Sequence, residues 1–141
     1  MSRVADELEI RNLLARLAQL ADSGDTEAYL ELLSDDVVWV MPPNPSIGLA
    51  GSERRGHGEI ATGQRERVAG GHQGPGSNTM HTVSTVSVRF DDDGSASAQS
   101  SFLYWADTAT APVVRSIGRY ADTLRREAGR WRLARRVITF G

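Results

Sequence analysis

The C-terminal segment 113–140 constrains the fold of this chain more than any other stretch. Two runs rich in β-forming residues, Val113 to Arg125 and Arg130 to Phe140, flank a short link that ends in Gly129. Glycine in such a link supplies the positive φ that a tight hairpin turn needs. Both faces of the second run carry apolar side chains, as in a strand that is covered on one side and makes contacts on the other. The segment therefore predicts a long β-hairpin inside a sheet.

The N-terminal third has the pattern of helices followed by a strand. Apolar residues recur at helical spacing from Ser2 to Ala21, which predicts an amphipathic helix. Gly24 can end that helix, and Asp25 can cap a second one over Thr26 to Leu33. Val37 to Met41 predicts a short strand, because the prolines that follow it donate no ladder hydrogen bond. These elements are suited to cover one face of the sheet.

The middle of the chain carries a weaker signal and then two clear strands. Glu59 to Val68 predicts a helix, and the glycines between 70 and 76 predict a loop that is either a lid or a plain connection. Asn78 to Phe90 and Ser95 to Asp107 predict strands joined by an Asp-rich turn. The order of elements predicts an α+β fold, in which a curved, mostly antiparallel sheet wraps around the N-terminal helices.

Composition narrows the class of function. The chain has 141 residues, a formal net charge of −2 and no cysteine. This length suits a single domain over residues 1–141. The charge provides no basic field for nucleic acid or an anionic membrane, and the lack of cysteine excludes thiolate metal sites and a cysteine nucleophile. No signal-peptide pattern or bilayer-spanning run opens the chain, so we expect a cytoplasmic protein.

Several short motifs in this order resemble the SnoaL-like branch of the nuclear transport factor 2-like superfamily. They are ADSGD at the end of the first helix, DDVVW, a histidine that opens a long strand, GRY-x-D-x-L-x-R and G-x-W-R-L-A-R-R. The resemblance covers nearly the whole chain and is poorest between Pro42 and Ser77. It implies a cone-shaped α+β barrel with a pocket between the concave sheet and the helices.

The resemblance also implies a catalytic pair. Scytalone dehydratase, the bile-acid dehydratases and a hexachlorocyclohexane dehydrochlorinase place an aspartate after the first helix and a histidine at the start of the first long strand. The matching positions here are Asp22 and His81. A histidine base oriented by a carboxylate can move a proton without a cofactor. Two simpler interpretations stay open, because Asp22 also fits a helix-stop sequence and His81 fits a structural or exposed strand residue.

The chain departs from the dehydratases at several supporting positions. The segment 13–20 lacks their tyrosine, and no histidine occurs near Phe102 to Tyr104, where scytalone dehydratase has its second one. Trp39 stands where the dehydratase has a tyrosine. We expect Trp39, Phe102 and Tyr104 to line the pocket. Arg135 shares the alternating face of Trp131, so it is expected to bring a charge into the pocket or an interface.

Other polar groups support weaker hypotheses. His57 and His72, with Glu59 and Glu66, lack the fixed spacing of a metal site, so no metal is expected. Most arginines of the C-terminal hairpin are expected to lie on a sheet surface that faces solvent or another subunit. Apolar residues on both faces of the hairpin predict a homodimer or other homo-oligomer.

The sequence thus predicts a cofactor-independent lyase or isomerase that acts on a small apolar, cyclic polyketide-, steroid- or terpenoid-like substrate. Two alternatives remain. One is a polyketide cyclase that promotes an intramolecular aldol reaction. The other is a non-catalytic binding or scaffold module, or a protein like the small subunit of a ring-hydroxylating oxygenase, in which the same fold associates with partners.

Overall fold

The N-terminal helices begin and end at residues that satisfy their free backbone groups. The computed structural model describes residues 2–141, and for Ile47 its backbone only. Helix α1, Arg3–Ser23, is capped by the Ser2 side chain and ends at Gly24, whose φ is 74°. Helix α2, Thr26–Glu31, is capped by the side chain of Asp25. Both predicted helices are therefore present, although α2 is shorter than expected.

The remaining elements form one sheet and a third helix. In chain order they are β1 (Leu33–Met41), a short 3-10 helix (Pro45–Ile47), β2 (Ser52–Arg55), α3 (Gly56–Ala69), β3 (Met80–Phe90), β4 (Ala96–Ala106), β5 (Val113–Glu127) and β6 (Arg130–Phe140). The strand order is β2-β1-β6-β5-β4-β3, and β1 and β6 are parallel while the other neighbours are antiparallel. The predicted α+β class and curved, mostly antiparallel sheet are confirmed, and the sheet is not closed. The short β2 and the 3-10 helix were not predicted.

The predicted C-terminal hairpin is present as the antiparallel pair β5 and β6. Its turn residues Ala128 and Gly129 have φ values of 50° and 79°. Two consecutive positive φ values match the twist of antiparallel strands, which explains why the link is tight. The core lies between the hairpin's inner face and the helices, and its most deeply buried members are Ile10, Leu14, Leu17, Val37, Leu124 and Leu133.

An irregularity in β6 reverses which residues face the core. Thr123 pairs with Arg135, but Leu124 pairs with Leu133, so Ala134 is the extra residue of a bulge. Trp131 and Leu133 are buried before the bulge, whereas Arg136 and Ile138 are buried after it. The expectation that Arg135 shares a face with Trp131 is wrong for this reason. Arg135 is exposed.

The edge strand β3 contains a second irregularity with the same effect. Its register against β4 shifts between Ser84 and Ser87, and Thr85 has a φ of 51°. Val83 packs against the core before the shift, and Val86 packs against it afterwards. Strict alternation would place Met80 on the face of Val86, but the shift breaks that alternation and Met80 is exposed.

Helix α1 is joined to β6 by polar contacts at its first turns. The indole Nε1 of Trp131 donates to Asp6 at 3.2 Å, and the Trp131 backbone N–H donates to Glu9 at 2.6 Å. Arg126 also pairs with Asp6. The hydrogen bond from Trp131 lowers the pKa of Asp6, and Arg126 lowers it further against the opposing effect of burial.

We expect Asp6→Asn to destabilise the protein at pH 7 and to lose that effect in acid. A carboxyl group whose pKa falls below 3.8 on folding stabilises the fold above that pH. The stabilisation disappears as the pH falls through the lower, folded value. Urea unfolding at pH 7 and at about pH 2.5 measures the difference between variant and wild type.

Glu7→Gln provides the control for this prediction, because Glu7 lies on the same helix in an exposed pair with Arg11. It should change the free energy of unfolding little at either pH. A destabilisation by Asp6→Asn that persists unchanged in acid would contradict the assigned charge interaction.

Candidate functional site

A cavity of about 110 Å³ lies between helices α1 and α3 and the inner face of the sheet. Aromatic side chains form much of its wall, contributed by Tyr29, Trp39, Phe102, Tyr104, Tyr120 and Phe140. Aliphatic residues of α1, including Leu14 and Leu17, cover one side. The expected pocket residues Trp39, Phe102 and Tyr104 therefore do line one cavity. Arg135 does not belong to it.

Asp22 and His81 meet at one end of this cavity. The Nδ1 atom of His81 lies 2.8 Å from Oδ1 of Asp22, and the His81 backbone N–H donates to Oδ2 at 3.0 Å. The two side chains are 19% and 20% exposed, His81 and Asp22 respectively. His81 itself lines the cavity. The two residues that the family resemblance identified as a pair are thus in direct contact. Their catalytic role stays a prediction.

The position of Asp22 follows from the ends of two elements. Asp22 lies in the last turn of α1, and His81 is the second residue of β3, the edge strand of the sheet. An edge strand presents backbone N–H groups that no neighbouring strand accepts. Asp22 accepts one of them together with the ring nitrogen, which fixes the imidazole relative to the helix.

Tyr104 connects this pair to the roof loop, residues 70–76. Its ring centroid lies 5.1 Å from that of His81. Its hydroxyl donates to the backbone carbonyl of His72 at 2.6 Å, and burial raises the pKa of that hydroxyl. The Tyr104 hydroxyl proton is therefore used in a hydrogen bond to the loop. His72 and Gln73 of the loop line the cavity, so the loop covers it.

Phe102 forms part of the floor because of a glycine in the neighbouring strand. Its ring stacks on Tyr120 with centroids 4.6 Å apart. A Cβ on Gly118 would collide with that ring and would lie 2.6 Å from the carbonyl oxygen of Thr139. The absence of a side chain at Gly118 therefore lets Phe102 lie flat against the sheet.

Arg136, rather than Arg135, brings a charge to the cavity. Its Nε and Nη2 donate to the two carboxylate oxygens of Asp122 at 2.8 and 2.9 Å. The guanidinium carbon lies 3.7 Å from the ring centroid of Tyr120. Burial alone would lower the pKa of Arg136, but the charge and hydrogen bonds of Asp122 raise it above its ordinary value. Strict alternation from Trp131 predicts that Arg135 faces inward. The extra residue Ala134 shifts the alternation by one position, so Arg136 faces inward instead.

A second arginine, Arg67, also lines the cavity and was not singled out from the sequence. It belongs to the last turn of α3, and its guanidinium carbon lies 4.8 Å from the ring centroid of Trp39. Its Nε donates to Gln73 of the roof loop at 3.3 Å. Nothing in the helical pattern of residues 56–69 distinguishes an inward arginine from a solvated one, so the sequence carried no signal for it.

The other histidine that was weighed as a metal ligand lies elsewhere. His57 is 3.0 Å from the carbonyl oxygen of Leu33 and does not line the cavity. Glu66 pairs with Arg54. Within residues 2–141, no three His, Asp or Glu side chains lie close enough together to hold a metal ion. No helix in the same range is long and apolar enough to cross a bilayer.

The sequence also matches the profile of a known protein family. The profile of the SnoaL-like domain matches residues 2–137. The chain belongs to the SnoaL-like family. A search of curated proteins returned no match.

Solved structures share the SnoaL-like fold of this chain. An NTF2-like protein with a cystatin-like fold from Novosphingobium aromaticivorans is 25% identical, with a TM-score of 0.76 over 97% of this chain and 82% of its own. A candidate scytalone dehydratase from the same organism is 19% identical, with a TM-score of 0.74 over 98% of this chain and 85% of its own. The protein Aln2 from a Streptomyces species is 20% identical, with a TM-score of 0.79 over 99% of this chain and 93% of its own. At these identities the last two similarities concern the fold alone.

Gly118→Ala should destabilise the protein by about 1–3 kcal/mol, because an added methyl group forces Phe102 out of its place in a packed wall. Urea unfolding measures the loss. Gly58→Ala is a matched control, since a Cβ there meets no atom within 4 Å. Equal stability of Gly118→Ala and wild type would show that the Phe102 ring can move at no cost.

Asp122→Asn should destabilise the protein by about 3–5 kcal/mol, since it leaves the buried Arg136 charge without its partner. Asp122 and Arg136 are 0% and 6% exposed at their side chains. Asp36→Asn breaks the solvent-exposed pair with Arg125 on the same hairpin and should cost less than about 1 kcal/mol. Chemical denaturation of both variants tests the contrast, and similar losses would contradict it.

Proposed function

We propose that this protein is a cofactor-independent enzyme that removes a proton from carbon next to a carbonyl group of a small cyclic substrate, with His81 as the base. The observation that carries the proposal is the contact between Nδ1 of His81 and Asp22 at the wall of an aromatic cavity. Membership of the SnoaL-like family supports an enzymatic function. The similarity in fold to a candidate scytalone dehydratase is in keeping with an elimination.

The Asp22 contact selects the tautomer of His81. A carboxylate accepts hydrogen bonds, so it favours the tautomer in which Nδ1 carries the proton. Nε2 then holds the free lone pair. A base of this kind needs a partner that stabilises the imidazolium formed on protonation, and Asp22 provides it.

The proposed elimination uses the same nitrogen twice. Nε2 of His81 takes the proton from the carbon next to the carbonyl group, and the electron pair of the C–H bond forms an enolate. When the β-hydroxyl group leaves, the imidazolium returns that proton to the departing oxygen, so the products are an enone and water. If the proton returns instead to the opposite face of that carbon, or to another carbon of a conjugated enolate, the result is an isomerisation. An intramolecular aldol would begin from the same enolate.

The size and lining of the cavity define the substrate class. A dry cavity of about 150 Å³ binds one benzene molecule in a model protein, and the cavity here is of comparable size at about 110 Å³. The aromatic wall suits a flat or cyclic apolar body. These features favour a single small ring over a large polycyclic molecule, and a partly buried pair at a cavity wall favours catalysis over a binding scaffold.

The proposed base can be tested on model ketones. We expect wild-type protein to accelerate deuterium incorporation from D₂O next to the carbonyl of cyclohexanone and loss of water from 3-hydroxycyclohexanone. His81→Asn should lower both rates by at least about 100-fold, since general-base catalysis contributes that much or more. NMR measures the exchange, and enone absorbance measures the elimination. Asp22→Asn should lower kcat by a smaller factor, because the base remains.

His57→Asn is the matched control for these variants. His57 also lies beside an aspartate, Asp35 at 3.9 Å, but outside the cavity. Its substitution should leave both rates unchanged. If His57→Asn and His81→Asn were equally active, the proposed base would be wrong. Absence of any acceleration by the wild-type protein on both ketones would count against proton transfer at this site.

A further inference from the structure

Arg67 differs from the other charged groups of the cavity in lacking an acidic partner. Arg136 is bound through two hydrogen bonds by Asp122, and His81 is paired with Asp22. For Arg67, the described part of the chain supplies no carboxylate within 4 Å and no acceptor for its terminal Nη1 and Nη2 atoms. Its one side-chain hydrogen bond runs from Nε to Gln73. Among the described residues, the wall of the cavity therefore carries one positive charge that is in no direct ion pair.

The surroundings of Arg67 hold the guanidinium group in place without removing its charge. Trp39 lies against it on one side, and Gln73 accepts from Nε. Gln73 in turn donates to Gln64, which is buried on α3 one turn before Arg67. Because a fixed guanidinium loses little entropy on binding, it is suited to accept a planar anion.

Arg67 is partly buried, and no carboxylate partner within residues 2–141 offsets the water that its charge has lost. Removal from water lowers the pKa of Arg67, although arginine stays protonated in proteins. The nearby Arg54 adds repulsion, and its own charge is paired with Glu66. The C-terminal end of α3 and the Trp39 ring offset part of the cost. A ligand with a negative charge would offset the rest through short, charge-assisted hydrogen bonds.

We propose that Arg67 is an anion-binding subsite, and that the natural ligand of the cavity carries a carboxylate or a comparably acidic oxygen on its ring. The inference takes the cavity as the substrate site of the proposed function, but it concerns binding and does not require turnover. It adds a charge to a ligand whose body is otherwise apolar. In this arrangement the anionic group contacts Arg67, and the ring lies against the aromatic wall near Trp39.

Binding of benzoate and benzamide tests the subsite directly. The two probes have the same ring and nearly the same shape, but benzoate is charged and benzamide is neutral. Calorimetric titration of the wild-type protein should show benzoate binding at least about tenfold more tightly. Equal affinity for the two probes, or tighter binding of benzamide, would overturn the proposal.

Variants assign the preference to one residue. Arg67→Gln keeps a polar side chain that can donate hydrogen bonds but removes the charge, so it should bring the affinities of the two probes together. Arg67→Lys should retain part of the preference. Arg65→Gln is the control, because Arg65 lies on the same helix in an exposed pair with Glu27. It should bind both probes like the wild type. A preference that persists in Arg67→Gln would place the anion elsewhere and overturn the assignment.

Two further variants separate Arg67 from the cavity histidines. His81→Asn and His72→Asn should keep the preference for benzoate, since neither changes Arg67. If either one abolished it, that histidine would be the receptor and the inference would be wrong. Folding of each variant is checked by thermal unfolding, and the comparison of the two probes on the wild-type protein stands without any variant.

The outcomes also distinguish this inference from the proposed function. Selective binding of benzoate through Arg67 in a protein that does not accelerate the ketone reactions would support the subsite and remove the proton-transfer mechanism. Conversely, ketone reactions that depend on His81 in a protein without a preference for benzoate would support the mechanism and remove the subsite.

Discussion

The carboxylate of Asp22 accepts hydrogen bonds from both the backbone and the ring of His81, and this contact joins the end of α1 to the edge strand of the sheet. Without the Asp22 carboxylate, the backbone N–H of His81 at the start of β3 would lose this hydrogen-bond acceptor. The same contact joins the helix on one side of the cavity to the sheet on the other. One side chain thus supplies an acceptor for the edge strand and the carboxylate partner that the proposed histidine base needs.

The charges around the cavity are arranged in two different ways. Arg136 and Asp122 compensate each other inside the sheet, so their pair contributes shape and rigidity with little net field. Arg67 contacts the Trp39 ring and donates a hydrogen bond to the Gln73 side-chain amide. Both groups are neutral, so its positive charge is not cancelled. Of the two arginines that line the cavity, Arg136 is the more buried, and Arg67 is the one without a carboxylate partner among the described residues.

Regular periodicity predicted the elements well, and its failures have a common physical cause. Helices α1 and α3, the four long strands and the C-terminal hairpin follow from capping residues, alternation and turn residues. Strict alternation fails to give the buried face in two strands that contain an extra residue, at Ala134 and near Thr85. Bulges of this kind bend a sheet, and their position depends on tertiary packing more than on local composition. The pairing of Asp22 with His81 was anticipated through family resemblance, since the two positions are far apart in the chain. Association through the outer sheet face stays a prediction.

Gly118 lies beneath the floor of the cavity and not in its lining, yet it decides how deep the cavity is. Because Phe102 rests directly on the backbone there, the space above the ring is as large as this part of the sheet allows. The size of ligand that such a protein accepts can therefore be altered at positions that never meet the ligand. Engineering of substrate range can therefore also use positions in a neighbouring strand that support the residues of the cavity wall, as Gly118 supports Phe102.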